Sequence, residues 1–383
     1  MQNFESIRPY RDDEVAGVIR RLSHDPALLR AAAAFFAPRL SRLAPWVAQR
    51  LAGHTIRRRT AKLDSVHAVQ LWLAGYMARV IRDTIHELTV EGMEHVPHGR
   101  PHLFLSNHRD IVMDSALLNY LLHQAGHRTA RAAVGNNLLS EPFAADLMRL
   151  NKSFVVERDV AGTKAMYQAM NRTSSYIRHS LEEGESVWIA QRGGRTKDGF
   201  DRTDPALLKM LSLAHRKELR RFDELLDRVS LVPVAVSYEL DPCDRRKAHE
   251  LYRIARDGHY RKEPGEDLAS MVDGIVGYKA RVHFRLAPPL EGDFPDPDAM
   301  AAALDRIIVG GMRVYPTHVE AARRLGIPCA DSAEPPLPRA MRAFEARIEA
   351  CPEPERPYLL GGYGNLLRNR QALGLDEPEA AAV

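Results

Sequence analysis

A cluster of polar residues, Asn107-His108-Arg109-Asp110, interrupts apolar sequence, and Asp114 follows four residues after Asp110. Residues 101–105 have the apolar character of a short buried strand, and residues 115–122 have that of a packed helix. A histidine titrates near neutral pH and can take a proton from a hydroxyl group. Turns that lead from a strand into a helix often hold the reactive groups of α/β proteins. The pattern therefore predicts acid–base chemistry at His108.

The residues alone leave the partner of His108 open between two aspartates. Asp110 could cap the following helix by accepting hydrogen bonds from backbone amides, and Asp114 would then lie within the first turns. The alternative without chemistry is that Asn107 or Asp110 only caps the helix and that His108 is a loop histidine.

Three later segments combine strand-like sequence with basic residues, glycine or proline. Residues 151–158 end in an arginine, residues 187–199 run into a glycine-rich basic turn, and residues 231–239 form an apolar strand that contains Pro233. Guanidinium groups bind phosphate oxygens, and glycines let backbone amides approach an anion. We therefore expect a phosphate-bearing ligand. The residues assigned to binding it are Arg158, Gly193, Gly194, Arg195 and Lys197.

In their order and spacing, the four segments resemble the four sequence blocks of the glycerolipid acyltransferases, over roughly residues 90–240. Those enzymes have four residues between the histidine and the aspartate of the first block, whereas five separate His108 from Asp114. The apolar run after Asp114 matches the family, so the resemblance makes Asp114 the equivalent aspartate, with one residue inserted. Arg192 or Gly193 stands where the third block usually carries a glutamate.

The resemblance implies an O-acyltransferase of phospholipid synthesis that moves a fatty acyl group from a thioester to a glycerol-phosphate type acceptor. His108 would be the general base, and Asp114 would orient its ring. The donor would be acyl-CoA or acyl carrier protein, and no further cofactor is expected. We expect 1-acylglycerol-3-phosphate as the acceptor, because the chain is shorter than the long glycerol-3-phosphate enzymes, although its third block resembles theirs. A glycerol-3-phosphate acyltransferase and a non-catalytic lipid-binding relative are the alternatives.

Composition restricts the other classes of function. The net charge of +4 is too small to indicate a nucleic-acid partner but is compatible with anionic lipid, phosphate or CoA. Three cysteines, odd in number and widely spaced, do not form the pattern of a disulfide framework or a cysteine-based zinc site. Histidine pairs at His98/His102 and His123/His127 lack the H-E-x-x-H pattern, so we expect no metal.

Neither the start of the chain nor any later run has the apolar length of a signal peptide or a spanning helix. Basic and apolar residues alternate at helical spacing between Arg39 and Lys62, which is compatible with a helix on a membrane surface or one packed against a core. We expect a cytoplasmic protein that is peripheral on the inner face of the membrane.

The order of elements predicts an α/β fold, a mixed sheet flanked by helices, preceded by an N-terminal helical section. We expect three sections: helices over residues 1–87, the acyltransferase α/β domain over 88–325, and a C-terminal helical extension and tail over 326–383, frayed from Leu375 onward. A charged helix is expected from Leu207 through Leu226.

Overall fold

The computed structural model describes residues 4–139, 141–158 and 160–375, and the chain forms two compact units. The smaller unit comprises Met1–Tyr76 with Arg131–Tyr176, and the larger unit comprises Met77–Ala130 with Ile177–Val383. The section borders predicted from the sequence lie at residues 87 and 325. The predicted fraying of the tail falls almost entirely on residues 376–383, which lie outside the described residues.

The described residues form helices and strands that alternate through most of the chain after residue 84. The α-helices are α1 Asp12–Leu22, α2 Pro26–Phe36, α3 Pro38–Leu43, α4 Pro45–Thr60, α5 Val66–Thr84, α6 Met113–Gln124, α7 Pro142–Leu150, α8 Thr163–Glu182, α9 Pro205–Ser212, α10 Leu225–Arg228, α11 Asp244–Asp257, α12 Glu266–Val276, α13 Pro297–Gly311, α14 Pro316–Arg324, α15 Pro338–Glu349 and α16 Arg356–Ala372. The strands are β1 Ile85–Glu91, β2 Leu103–Ser106, β3 Arg131–Gly135, β4 Ser153–Val156, β5 Val187–Ala190, β6 Leu231–Tyr238 and β7 Ala280–Leu286.

The smaller unit contains α1 to α4, the first part of α5, and the parallel pair of β3 and β4. Helix α2 begins with a side-chain cap, because the Asp25 carboxylate accepts hydrogen bonds from the backbone amides of Ala27 and Leu28, each at 2.9 Å. Pro26 occupies the first helical position, where its missing N–H costs no hydrogen bond.

The larger unit contains five strands in the order β1-β7-β6-β2-β5. Neighbouring strands are parallel except for β6 and β7, which are antiparallel, so the predicted mixed sheet is confirmed. All residues of β2, β5 and β6 are buried, which explains their nearly continuous apolar sequence.

The register of the central strands determines where polar side chains meet. Ser106, the last residue of β2, pairs with Ala190 of β5 on one side and with Val234 of β6 on the other. Since these strands are parallel, their carboxyl ends lie at the same edge of the sheet. The segments after Ser106, after Ala190 and at the end of β6 therefore converge there.

One predicted helix is wrong. Residues 207–226 do not form a single helix, because α9 ends at Ser212 and α10 begins only at Leu225. The sequence between them includes Arg216-Lys217-Glu218-Leu219-Arg220-Arg221, which has too few apolar residues to bury one face of a helix.

Helices α11, α15 and α16 pack at the carboxyl end of β6. Buried apolar side chains from this region form one cluster that includes Leu240, Ala248, Phe344 and Tyr363. The C-terminal helices are thus packed into the larger unit next to the carboxyl end of its sheet.

Candidate active site

Asn107 fixes the backbone immediately before His108. Its side-chain amide donates to the carbonyl of Val236 at 2.9 Å, and its Oδ1 accepts from the amide of the same residue at 2.8 Å. Ser106 Oγ donates to the carbonyl of Asn107 at 2.8 Å and accepts from the indole N–H of Trp188 at 2.9 Å. All three side chains are buried, so the turn that carries His108 is tied to both neighbouring strands.

His108 pairs with Asp114, at 2.8 Å between Nδ1 and Oδ2. The Asp114 carboxylate is fully buried, whereas the His108 side chain keeps 13% of its surface exposed. With Nδ1 donating to a carboxylate, Nε2 of a neutral ring is left as an acceptor for a substrate proton. The rings of His108 and Trp188 form a T-shaped contact, with centroids 5.6 Å apart and planes at 71°.

Both oxygens of Asp114 have further donors. Oδ2 accepts the backbone amides of Arg109 at 2.6 Å and Asp110 at 3.0 Å, and Oδ1 accepts the hydroxyl of Tyr238 at 2.8 Å. Burial and, second, the Asp114 charge raise the pKa of Tyr238 well above its usual value, so the hydroxyl stays a donor. The turn that contains the additional residue therefore folds around this carboxylate.

The Asp110 side chain bonds to the backbone at the start of α6, whose N-cap position is Val112. This is close to the capping role that one of the two open assignments gave it. Its Oδ1 accepts the amides of Val112 and Met113, each at 2.9 Å. Its Oδ2 is buried and makes no hydrogen bond within the described residues. Burial, followed by the charge of Asp114, raises the pKa of the Asp110 carboxyl. A Cβ at Gly274 would lie 2.2 Å from this oxygen, so only glycine fits there.

The glycine-rich turn after β5 lies directly against the turn of His108. The amide of Thr196 donates to the carbonyl of His108 at 2.7 Å. Gly194 has φ +80°, a backbone conformation that favours glycine, and Gly193 is exposed. The sheet thus brings Gly193, Gly194 and Arg195 next to the residue that carries the candidate base.

The basic residues of this turn differ in the partners of their charged groups. Nη1 of Arg195 is buried without a hydrogen-bond partner in the described part of the chain. Burial raises the pKa of the Asp110 carboxyl, and the charge of Arg195 offsets part of that rise. The pKa of the Asp241 carboxyl is lowered on balance, because the cations Lys247 and Arg195 together with a backbone hydrogen bond outweigh its burial. Lys197 is ion-paired with Glu250, and burial lowers the pKa of its ammonium. Arg195 is therefore the better candidate for an added anion.

Arg158, the other arginine assigned to phosphate, belongs to the smaller unit. Its backbone amide donates to Oδ1 of Asn136 at 3.0 Å, and its carbonyl accepts from the amide nitrogen of that side chain at 3.4 Å. The role assigned to Arg158 stays a prediction.

Sequence reasoning missed three residues that support the site. Tyr238 reaches Asp114 from the last position of β6, a position that an apolar strand does not single out. Buried Asp201 accepts from Nη2 of Arg109 at 2.5 Å and from Oγ1 of Thr196 at 2.6 Å. Acidic residues are common in polar turns, so no sequence signal marked Asp201. Arg109 belongs to the polar cluster around His108, but nothing in the sequence assigned a role to its side chain.

A comparison with models of protein families matches residues 87–237 to the family described as Acyltransferase. This part of the chain is similar to the Acyltransferase family. The match confirms the resemblance to the glycerolipid acyltransferases, and it spans His108, Asp114, Arg158 and the glycine-rich turn. A search of curated proteins found no match.

Among solved structures, the chain is similar to the crystal structure of the 1-acyl-sn-glycerophosphate (LPA) acyltransferase, PlsC, from Thermotoga maritima. The two share 14% sequence identity with a TM-score of 0.38, over 74% of this chain and 92% of that chain. Tyr238 and all helices from α11 to α16 follow the residues matched to the acyltransferase family.

Proposed function

We propose that the protein transfers a fatty acyl group from a thioester donor to a hydroxyl of a glycerol-phosphate acceptor, 1-acylglycerol-3-phosphate. The observation that carries the proposal is the hydrogen bond from Nδ1 of His108 to the buried carboxylate of Asp114. It leaves Nε2 as the acceptor for a hydroxyl proton in an acyltransferase domain.

The reaction needs no protein nucleophile. Nε2 of His108 takes the proton of the acceptor hydroxyl while the oxygen attacks the thioester carbonyl and forms a C–O bond. The buried carboxylate of Asp114 stabilises the resulting imidazolium. The C–S bond then breaks, and the imidazolium returns the proton to the departing thiolate. Acyl-CoA or acyl carrier protein would supply the thioester.

Arg195 supports an acceptor that carries phosphate. A guanidinium with a buried, unpartnered Nη1 gains a hydrogen bond when an anion binds, and Gly194 leaves the backbone of the turn open to a close approach. A phosphate held there would lie beside the turn that carries His108, because the backbone amide of Thr196 donates to the carbonyl of His108.

The test is a panel of acceptors incubated with labelled acyl-CoA and with labelled acyl carrier protein. We expect an O-ester product and free thiol in equal amounts, with 1-acylglycerol-3-phosphate preferred over glycerol-3-phosphate. A preference for glycerol-3-phosphate would change the acceptor and keep the reaction. Vesicle binding without transfer to any acceptor would contradict catalysis and favour the non-catalytic lipid-binding relative.

We further propose that the protein binds anionic membrane surfaces through the basic helical segment, residues 26–63. This segment contains eight basic residues and no acidic one: Arg30, Arg39, Arg42, Arg50, Arg57, Arg58, Arg59 and Lys62. The rest of the chain is therefore net acidic, since the whole chain carries only +4. The inner face of a bacterial or eukaryotic cell membrane attracts such segments through its anionic lipids.

Large apolar side chains of the same segment are exposed. Leu43 is 86% exposed, Trp46 72%, Phe36 59% and Leu51 53%. Apolar groups beside basic ones are typical of helices that lie in a membrane interface. None of the described helices is long and apolar enough to cross a membrane. Binding through this segment would be reversible and would give the domain access to acceptors that carry an acyl chain.

A further inference from the structure

Helix α16 contacts the glycine-rich turn although it lies outside the residues matched to the acyltransferase family. The side-chain amide of Asn365 donates to the carbonyl of Asp198 at 2.8 Å, and that of Asn369 donates to the carbonyl of Asp201 at 3.0 Å. Residues four apart on a helix share one face. One face of α16 thus satisfies two backbone carbonyls of the same loop.

The backbones of the loop and the helix approach each other closely at Gly199. This residue has φ +81°, and a Cβ would lie 2.5 Å from the carbonyl oxygen of Gly361 on α16. Any larger residue would have to move the loop, the helix or both. The contact therefore depends on glycine in the loop and on the two amides of α16.

Contacts continue from this loop to the candidate base. The Asp201 carboxylate, fully buried, bonds to the hydroxyl of Thr196 at 2.6 Å and to the guanidinium of Arg109 at 2.5 Å. Arg109 directly follows His108, and the amide of Thr196 donates to the carbonyl of His108. The segment held by α16 is thus the one that carries Arg195 on one side and contacts the turn of His108 on the other.

We propose that Asn365 and Asn369 are positioning residues, through which α16 sets the placement of the Arg195 turn relative to His108 and so the affinity for the acceptor. The proposal rests on the function proposed above for its kinetic readout. Neither asparagine touches the reacting atoms. Losing them should loosen the loop and weaken acceptor binding, while the pair of His108 and Asp114 keeps its own hydrogen bonds.

The experiment compares the Asn365→Ala/Asn369→Ala double variant with the full-length wild type. Amide hydrogen exchange over residues 196–201 should become faster, and the acceptor KM should rise about fivefold to tenfold, more than kcat falls, as expected for lost neutral hydrogen bonds that order a binding loop. Gln371→Ala is the matched control, because this amide on the same helix donates to the carbonyl of Pro328 at 2.6 Å instead. It should change neither quantity.

Melting temperatures identify variants that fail to fold, and in that case Asn365→Ala alone is measured, since this side chain is only partly buried. Unchanged loop exchange would overturn the proposal, and so would faster exchange with an unchanged acceptor KM. If the wild type transfers no acyl group, the proposed function fails by itself, and exchange over residues 196–201 still decides whether α16 holds the loop.

Discussion

The turn after β2 and the basic helical segment differ in how far their side chains are buried. At the turn, Asp114 is fully buried and both of its oxygens accept hydrogen bonds, from His108, two backbone amides and Tyr238. In the basic helical segment, Leu43 and Trp46 are largely exposed to solvent. One region satisfies its polar groups inside the protein, and the other leaves apolar groups without cover.

The difference in burial indicates that the two regions have different functions. A buried carboxylate with several donors keeps a histidine in one orientation, which is what a general base requires. Covering exposed leucine and tryptophan side chains with another apolar phase, such as a membrane interface, lowers the free energy of the system. We therefore expect substitutions at the turn to change the rate of chemistry and substitutions in the segment to change the location of the protein.

The largest effect is expected at His108. His108→Ala should lower kcat by at least about a hundredfold, because a general base contributes that much or more to proton transfer. The melting temperature and vesicle binding should stay close to those of the wild type. Activity within a few-fold of the wild type would mean that the base lies elsewhere.

Asp114 and Asp110 form the next comparison. Asp114→Asn should lower kcat by about fiftyfold or more, since an amide cannot stabilise the imidazolium as a carboxylate does. It should also cost stability, because two backbone amides and Tyr238 bond to this group. Asp110→Asn should keep most of the activity and cost about 1 kcal/mol, the scale of a weakened helix cap. Kinetics and thermal unfolding of both variants check this, and the reverse pattern would exchange the two roles.

Much of this turn was predictable from its residues. The change from apolar to polar sequence at Asn107 marked the end of β2, and a cap followed by helical spacing marked α6. The choice between Asp110 and Asp114 was not readable from the residues, because it depends on how the turn folds. Tyr238 and Asp201 come from β6 and from the loop after β5, and only the parallel register brings such distant residues together.

The failed prediction of one helix over residues 207–226 has a different cause. Charged residues such as Arg220 and Arg221 have good intrinsic helix propensity, but a helix also needs an apolar face to bury. The exposure of Leu43 and Trp46 could not be predicted from the sequence either. Apolar residues at helical spacing are compatible both with a helix packed against a core and with a helix on a membrane surface.

Tyr238→Phe should have an intermediate effect. Removing the hydroxyl leaves Oδ1 of Asp114 without its donor at 2.8 Å, and we expect kcat to fall about tenfold, the scale of a hydrogen bond to a charged group. An unchanged kcat with a lower melting temperature would make Tyr238 a structural residue only.

The smallest effect is expected in the basic helical segment. Leu43→Ala should weaken co-sedimentation with anionic vesicles about fivefold, because less apolar area enters the interface, and transfer to a water-soluble acceptor should not change. Leu147→Ala, a leucine of the same unit with 36% exposure outside the segment, is the control. Binding should also weaken as salt increases. Vesicle binding that is insensitive to salt and to Leu43→Ala would show that this segment is not the membrane-binding site.

The central claim is that His108 presents an unprotonated Nε2 because Nδ1 donates to Asp114. Nitrogen NMR of the protein with ¹⁵N-labelled histidine measures this directly, with His108→Gln used to assign the signals. In the neutral form, we predict a protonated Nδ1 and an unprotonated Nε2 for His108, and Asp114→Asn should disturb this preference. A neutral His108 that carries its proton on Nε2 would contradict the account.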